Sequence, residues 1–151
     1  MFKDKLMTIA QLFGIGRIEF APGTWASLVT CIILYPILKF SLGVKITLII
    51  IISILGIYAA DYAEKKLNEK DPRSIVIDEV AGQFITLTFI GKPSFLFVFL
   101  GFILFRILDV FKPPPIRQIE ERFSGGFGIM IDDIAAGIIG GCILWLILKI
   151  I

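Results

Sequence analysis

Apolar residues along this chain gather into five runs separated by short polar or turn-forming stretches. The runs are Trp25 to Phe40, Val44 to Ala60, Ile75 to Ile90, Ser94 to Leu108 and Ile134 to Ile151. Each holds roughly 15–18 residues, at the short edge of the ~17–25 that carry a helix across a bilayer. Pro36 kinks the first run, Asp71-Pro72 favours a helix end, and Gly91-Lys92-Pro93 breaks the third from the fourth. The pattern predicts an all-α fold: a small helical membrane protein with about five short hydrophobic helices and an interfacial helix. That last element is read at 116–123, where Ile116, Ile119 and Phe123 share one side and Arg117 and Arg122 lie elsewhere. The opening stretch, M-F-K-D-K-L-M-T-I-A-Q-L-F, begins like a signal peptide. Its apolar part is short and interrupted by Thr8 and Gln11, so it reads as a retained amphipathic helix at the interface.

Five crossings put 1–24, 61–74 and 109–133 on one face. All 13 acidic residues fall there or beside it, as do 11 of the 15 basic ones, all but Lys39, Lys45, Lys92 and Lys149. The Lys/Arg excess makes that face cytoplasmic. Composition agrees with a membrane protein, with 57% hydrophobic residues and a mean hydropathy of +0.92. A net charge of +2 without a basic-aromatic pattern gives no case for nucleic acid. Cys31 and Cys142 lie inside apolar runs without metal-ligand spacing and read as small core residues. The chain has no histidine, so hydrolytic chemistry must rest on carboxylates, Lys/Arg and metal.

The stretch between the fourth and fifth runs is the richest in chemistry. Arg106, Asp109 and Lys112 are spaced three apart and share one side of a helix, which Pro113, Pro114 and Pro115 then stop. Gly125, Gly126 and Gly128 permit close backbone approach, and Asp132-Asp133 fall where the last run begins. Six carboxylates converge on the charged face: Asp61, Asp78, Glu79, Asp109, Asp132 and Asp133. Crowded near a bilayer, they must take up protons or be held ionised by cations, and Arg106 and Lys112 offset only two. A hard divalent ion bound through oxygen, most simply Mg²⁺, fits them. The loop Gly14 to Thr24 could cradle phosphate through backbone N–H groups and the Thr24 hydroxyl, although a turn with a helix cap explains it equally well. Neither a P-loop nor an aspartyl-phosphate motif is present, so the residues favour metal-assisted hydrolysis with Arg and Lys stabilising phosphate.

Three blocks carry a resemblance. They are F-A-P-G-T-W-A-S-L at 20–28, D-P-R-S-I-V-I-D-E-V-A-G at 71–82, and R-I-L-D-V-F-K-P-P-P-I-R through G-G-F-G-I-M-I-D-D-I-A-A-G at 106–137. In these the chain resembles the phosphatidylglycerophosphatase A family, with Ala26 standing where that family often has glycine. The resemblance implies a single domain over 1–151 and a Mg²⁺-dependent lipid phosphatase. Its reaction is conversion of phosphatidylglycerophosphate to phosphatidylglycerol in the bacterial inner membrane, on the cytoplasmic side. Carried over, the family's acidic positions are Asp61, Asp78, Glu79, Asp109, Asp132 and Asp133, its basic one is Lys112, and its loop hydroxyl is Thr24. The expected metal ligands are Asp78, Glu79, Asp132 and Asp133, with Asp61 in the same set. Asp109 is expected to position or deprotonate water, while Lys112, Arg106 and Thr24 hold the phosphate. Two other readings stand beside this one: a phosphatase for another lipid or small phosphomonoester, and a divalent-cation carrier.

Overall fold

The computed structural model describes residues 2–150, and the elements among them are helical throughout. Seven α-helices follow in order: α1 (Phe2–Ala10), α2 (Pro22–Leu34), α3 (Leu42–Leu67), α4 (Ile77–Thr88), α5 (Phe95–Phe111), α6 (Ile116–Arg122) and α7 (Gly125–Ile150). Short 3₁₀ segments at Leu12–Arg17 and Ile37–Lys39 join the first three.

Each predicted run becomes a helix, but only two are long enough to cross a membrane. The 26 residues of α3 and of α7 each reach about 39 Å, against a hydrocarbon core of ~30 Å. The five-span expectation is therefore corrected to two span-length helices with shorter ones packed among them. Helix α4 shows why. It has 12 residues, about 18 Å, and ten of them are buried. Its apolar character reflects burial against α2, α3, α5 and α7 rather than contact with lipid. In contrast, α3 leaves Ile46, Ile50, Ile51, Ile54, Leu55 and Tyr58 exposed. An apolar surface of that extent calls for a nonpolar surrounding.

Helix ends also move from where the runs suggested. Lys65 and Lys66 do not interrupt α3, which carries its polar last turns to Leu67 and ends at Asn68 in the left-handed conformation (φ 51°). The larger shift is at α7, which starts at Gly125 rather than at Ile134. Its glycines lie inside the helix, against neighbours: a Cβ on Gly126 would strike the Ile57 carbonyl and come within 2.7 Å of Asp61 Cβ. Consequently Asp132 and Asp133 sit in the third turn of α7 and not at its positive end. The amphipathic opening does form α1, and Met7 and Ala10 bury its inner face in the cluster shared with α3 and α4. Cys31 is buried as expected, whereas Cys142 is exposed on α7.

Helices α4 and α7 are held backbone to backbone. A Cβ on Gly137 would lie 3.0 Å from the Gly82 C and Cα atoms, and closer still to its carbonyl oxygen. Thr86 Oγ1 stands 3.1 Å from the carbonyl oxygens of both Gly82 and Gly137, so its one proton is shared across the joint. Small residues at a helix crossing permit this approach. One turn above it, toward the charged end of the bundle, lie Asp78 and Asp133.

Candidate active site

A cleft of about 960 Å³ opens at the end of the bundle where α2, α4 and α7 begin and α5 finishes. Residues 16–23 form one wall and residues 69–74 another, with Asp78, Glu79, Arg106, Asp109, Lys112, Asp132 and Asp133 completing it. The wall at α2 is shaped by Ala21, held in the left-handed region (φ 49°), and by Pro22 at the first helical position. Gly23 then lets α2 press on the site, since a Cβ there would fall on Glu79 Oε1 and within 3.3 Å of the Arg106 guanidinium.

Asp78, Glu79 and Asp133 each offer one oxygen within 4.8 Å of the others. Asp78 Oδ1, Glu79 Oε2 and Asp133 Oδ2 are buried and lack a hydrogen-bond partner among the described residues. Burial, and then the adjacent Glu79 charge, raises Asp78 well above the carboxylate range. Burial together with Asp133 pushes Glu79 up to about 8. Oxygens so placed suit a hard cation: an ion among them would supply the partner each lacks and the charge the group needs.

The cations are held nearby. Arg106 Nη1 donates to Asp109 Oδ2 at 2.5 Å and stands 3.8 Å from Glu79 Oε1. Lys112 leaves the α5 axis in the left-handed conformation (φ 43°), and its Nζ donates to Asp132 Oδ2 and Glu120 Oε1, each at 2.7 Å. Burial disfavours its charge, but these two bonds outweigh that and hold Lys112 above the ordinary lysine range. In all, eight carboxylates and four cations line the cleft, a formal excess of four negative charges when every acid is ionised. A phosphate would be repelled by that surface unless divalent cation entered with it or before it.

Most of the residues singled out from sequence meet here, and two do not. Asp132 is present but engaged by Lys112, leaving Asp78, Glu79 and Asp133 as the clustered trio. Asp61 lies outside the cleft, paired with Lys65 at 2.6 Å and facing the start of α7. The reason is that α3 continues past it as helix. Thr24 does not line the cleft either, and its amide donates to the Ala21 carbonyl at 3.0 Å. Because α2 starts at Pro22, Thr24 is already a helical residue and its N–H is committed. Sequence reasoning missed Arg17 and Arg73, which line the mouth, with Arg17 Nε donating to Gln11 Oε1 at 2.9 Å. Arg73 was within reach, standing five positions before Asp78 in the same block.

Fold and cleft together define a class: a small helical protein with two span-length helices and an acidic cluster that could hold a metal ion beside fixed cations. The family follows from comparison. Residues 8–148 match the family described as Phosphatidylglycerophosphatase A, and the chain belongs to it. It is 45% identical over 132 residues to a Haemophilus influenzae protein named phosphatidylglycerophosphatase A, covering 86% of this chain and 80% of the relative. An Escherichia coli protein of the same name is 39% identical over 140 residues, covering 92% and 81%. A Bacteroides thetaiotaomicron protein with the provisional name phosphatidylinositol-3-phosphatase is 38% identical over 133 residues, covering 83% and 82%. No solved structure matches the chain.

Proposed function

We propose that this chain hydrolyses the terminal phosphomonoester of phosphatidylglycerophosphate to give phosphatidylglycerol and phosphate, using Mg²⁺ held by Asp78, Glu79 and Asp133. The observation that carries the reading is that trio: three converging carboxylates from α4 and α7, each with one buried oxygen that lacks a hydrogen-bond partner, beside Arg106 in an acid-rich cleft. Family membership and the names of two relatives support the reaction and its lipid substrate. When bound, the ion would polarise a phosphoryl oxygen and lower the pKa of a water molecule. Arg106, steadied by Asp109, presents its guanidinium to the phosphate and offsets charge that builds on its oxygens. Asp109 is the proposed acceptor of the water proton, close enough to Arg106 that a shift of one moves the other. Lys112 screens Asp132 and Glu120, and its positive charge draws the headgroup inward.

The whole chain acts as one domain in this reading, in the bacterial inner membrane with the cleft at the cytoplasmic headgroup layer. The Lys/Arg bias of the cleft-end connectors supports that orientation. The name of the Bacteroides relative favours a second substrate reading, a phosphomonoester on a different lipid headgroup served by the same chemistry. A cation carrier fits less well, since the acidic trio lies at one end of the bundle and not along a path through it.

The test is phosphate release by purified protein in mixed micelles, with Mg²⁺ titrated and then removed by EDTA. Activity should require Mg²⁺, return on its readdition, and be lost in Asp133→Asn. Hydrolysis that survives both EDTA and Asp133→Asn overturns the metal assignment. Faster hydrolysis of phosphatidylinositol 3-phosphate than of phosphatidylglycerophosphate would transfer the assignment to the second substrate.

A further inference from the structure

A second cavity, about 420 Å³, lies along the outer seam of α2 and α5. Leu28, Cys31, Ile32, Tyr35 and Pro36 line it on one side, with Phe95, Val98, Phe99 and Phe102 on the other. We propose that this furrow holds one acyl chain of the lipid whose phosphate enters the cleft; the inference rests on the phosphatase reading above.

Three observations point to that occupant. The first is alignment. Phe95, Phe99, Phe102, Arg106 and Asp109 recur at helical spacing on one stripe of α5, so furrow and cleft share a helix face. On α2 the cleft residue Gly23 and the furrow residue Leu28 are separated by little more than one turn, about 7–8 Å. That interval leaves room for a polar headgroup between phosphate and chain.

The second is depth. Fourteen residues of helix separate Asp109 from Phe95, about 21 Å along the axis. The hydrocarbon of one leaflet is roughly 15 Å deep, half of the ~30 Å core. The furrow itself, Phe95 to Phe102, takes the inner part of that length, about 10 Å, so it lies below the headgroup level at a depth that one acyl chain reaches. The third is shape and polarity. Its lining side chains are apolar save for the Cys31 thiol and the Tyr35 hydroxyl. Val98 and Cys31 form a buried floor, and Phe95, Phe99 and Ile32 stand exposed as its rims. At the far end Tyr35 and Phe95 stack with ring centroids 4.8 Å apart and planes within 5°, closing the furrow. A slot open toward lipid, closed at its base and capped by a phosphate-binding cleft fits an acyl chain in all three respects.

The experiment compares two substrates, long-chain phosphatidylglycerophosphate in mixed micelles and its water-soluble deacylated headgroup. Leu28→Trp and Val98→Trp fill the furrow. Ile32→Trp fills it from a rim position that is already exposed, so that variant keeps its fold. Ile50→Trp on lipid-facing α3 is the control. With folding checked by helix content and Tm, the furrow variants should lose about tenfold in kcat/KM on the long-chain lipid. That is the loss expected from expelling one or two methylenes from an apolar surface. Hydrolysis of the deacylated compound should stay within about twofold of wild type, and Ile50→Trp should behave as wild type. Folded Ile32→Trp protein that cleaves both substrates as wild type does, or loses both equally, overturns the furrow. Wild-type protein inert on both refutes the phosphatase reading itself, and the furrow with it.

Discussion

Replacing Gly137 with alanine tests the link between helix packing and the acidic cluster most directly. The new methyl would sit 3.0 Å from Gly82 C and Cα, against the 3.4 Å at which ordinary contact begins, and nearer still to the Gly82 carbonyl oxygen. Backbone cannot rotate out of the way as a side chain can, so α4 and α7 must part by roughly 0.5–1 Å; overpacking of this kind costs about 1–3 kcal/mol. For a chain of this size that is a fall in Tm of roughly 3–10 °C. The separation opens one turn below Asp78 and Asp133, whose ligand oxygens, with that of Glu79, span at most 4.8 Å. Mg²⁺ demands oxygens at ~2.0–2.1 Å in near-octahedral array, so opposite ligands cannot stand much beyond about 4 Å apart. The Mg²⁺ concentration for half-maximal phosphate release should therefore rise about tenfold or more. Gly140→Ala is the internal control. Its Cβ would stand at ordinary contact distance from Thr86 Oγ1, 3.4 Å, which leaves the Thr86 bridge in place, and only the Leu108 Cδ1 methyl at 3.3 Å would have to give slightly. Should Gly137→Ala show the wild-type Mg²⁺ curve and an unchanged Tm, the close α4–α7 joint does not set the geometry of the site.

Other substitutions separate the roles of the charged residues. Asp78→Asn should lower phosphate release by about a hundredfold or more while raising Tm in EDTA, because it removes one of several crowded buried acids that are costly to ionise without a cation; a lower Tm would mean that Asp78 has a structural partner in the metal-free fold. Lys112→Met strands Asp132, of which only 6% of the side chain is exposed, and should cost about 3 kcal/mol in denaturant titration; Lys112→Met/Asp132→Asn should recover most of that. Asp61→Asn should leave Mg²⁺ activation unchanged and alter stability by less than ~0.5 kcal/mol, since its pair with Lys65 is largely exposed. A tenfold shift in Mg²⁺ dependence there would return Asp61 to the ligand set.

Helix existence was legible throughout, because each apolar run between turn signals did become a helix. What periodicity could not supply was the reason for each run's hydrophobicity. Ile75–Ile90 and Val44–Ala60 read alike, yet α4 is apolar from burial in protein and α3 from an exposed surface suited to lipid. Composition reports removal from water in both cases and does not say what replaces it. The start of α7 was hidden in a similar way. Gly125, Gly126 and Gly128 were read for close backbone approach, which Gly126 makes against α3, but they lie within α7, whose N-terminus is nine residues earlier than the apolar run placed it.

In the site, five of the six carboxylates singled out from sequence meet in the cleft, Asp61 being the exception, and which of them cluster was not legible. Asp132 and Asp133 are neighbours on a helix and point about 100° apart. Which of them meets α4 and which meets Lys112 depends on how α7 is rotated, and that is fixed at Gly82 and Gly137. The same joint places acidic groups so close that they stay ionised together only with a counter-ion, and otherwise take up protons. Packing and electrostatics therefore oppose each other at this point, and neither alone can account for the cluster. The helices approach because glycine removes the steric barrier and Thr86 bridges the two carbonyl oxygens. The acidic trio is then a preformed demand for positive charge within the cleft. A site assembled by the cation would need no such joint, whereas one assembled by packing must keep it even when the cation is removed.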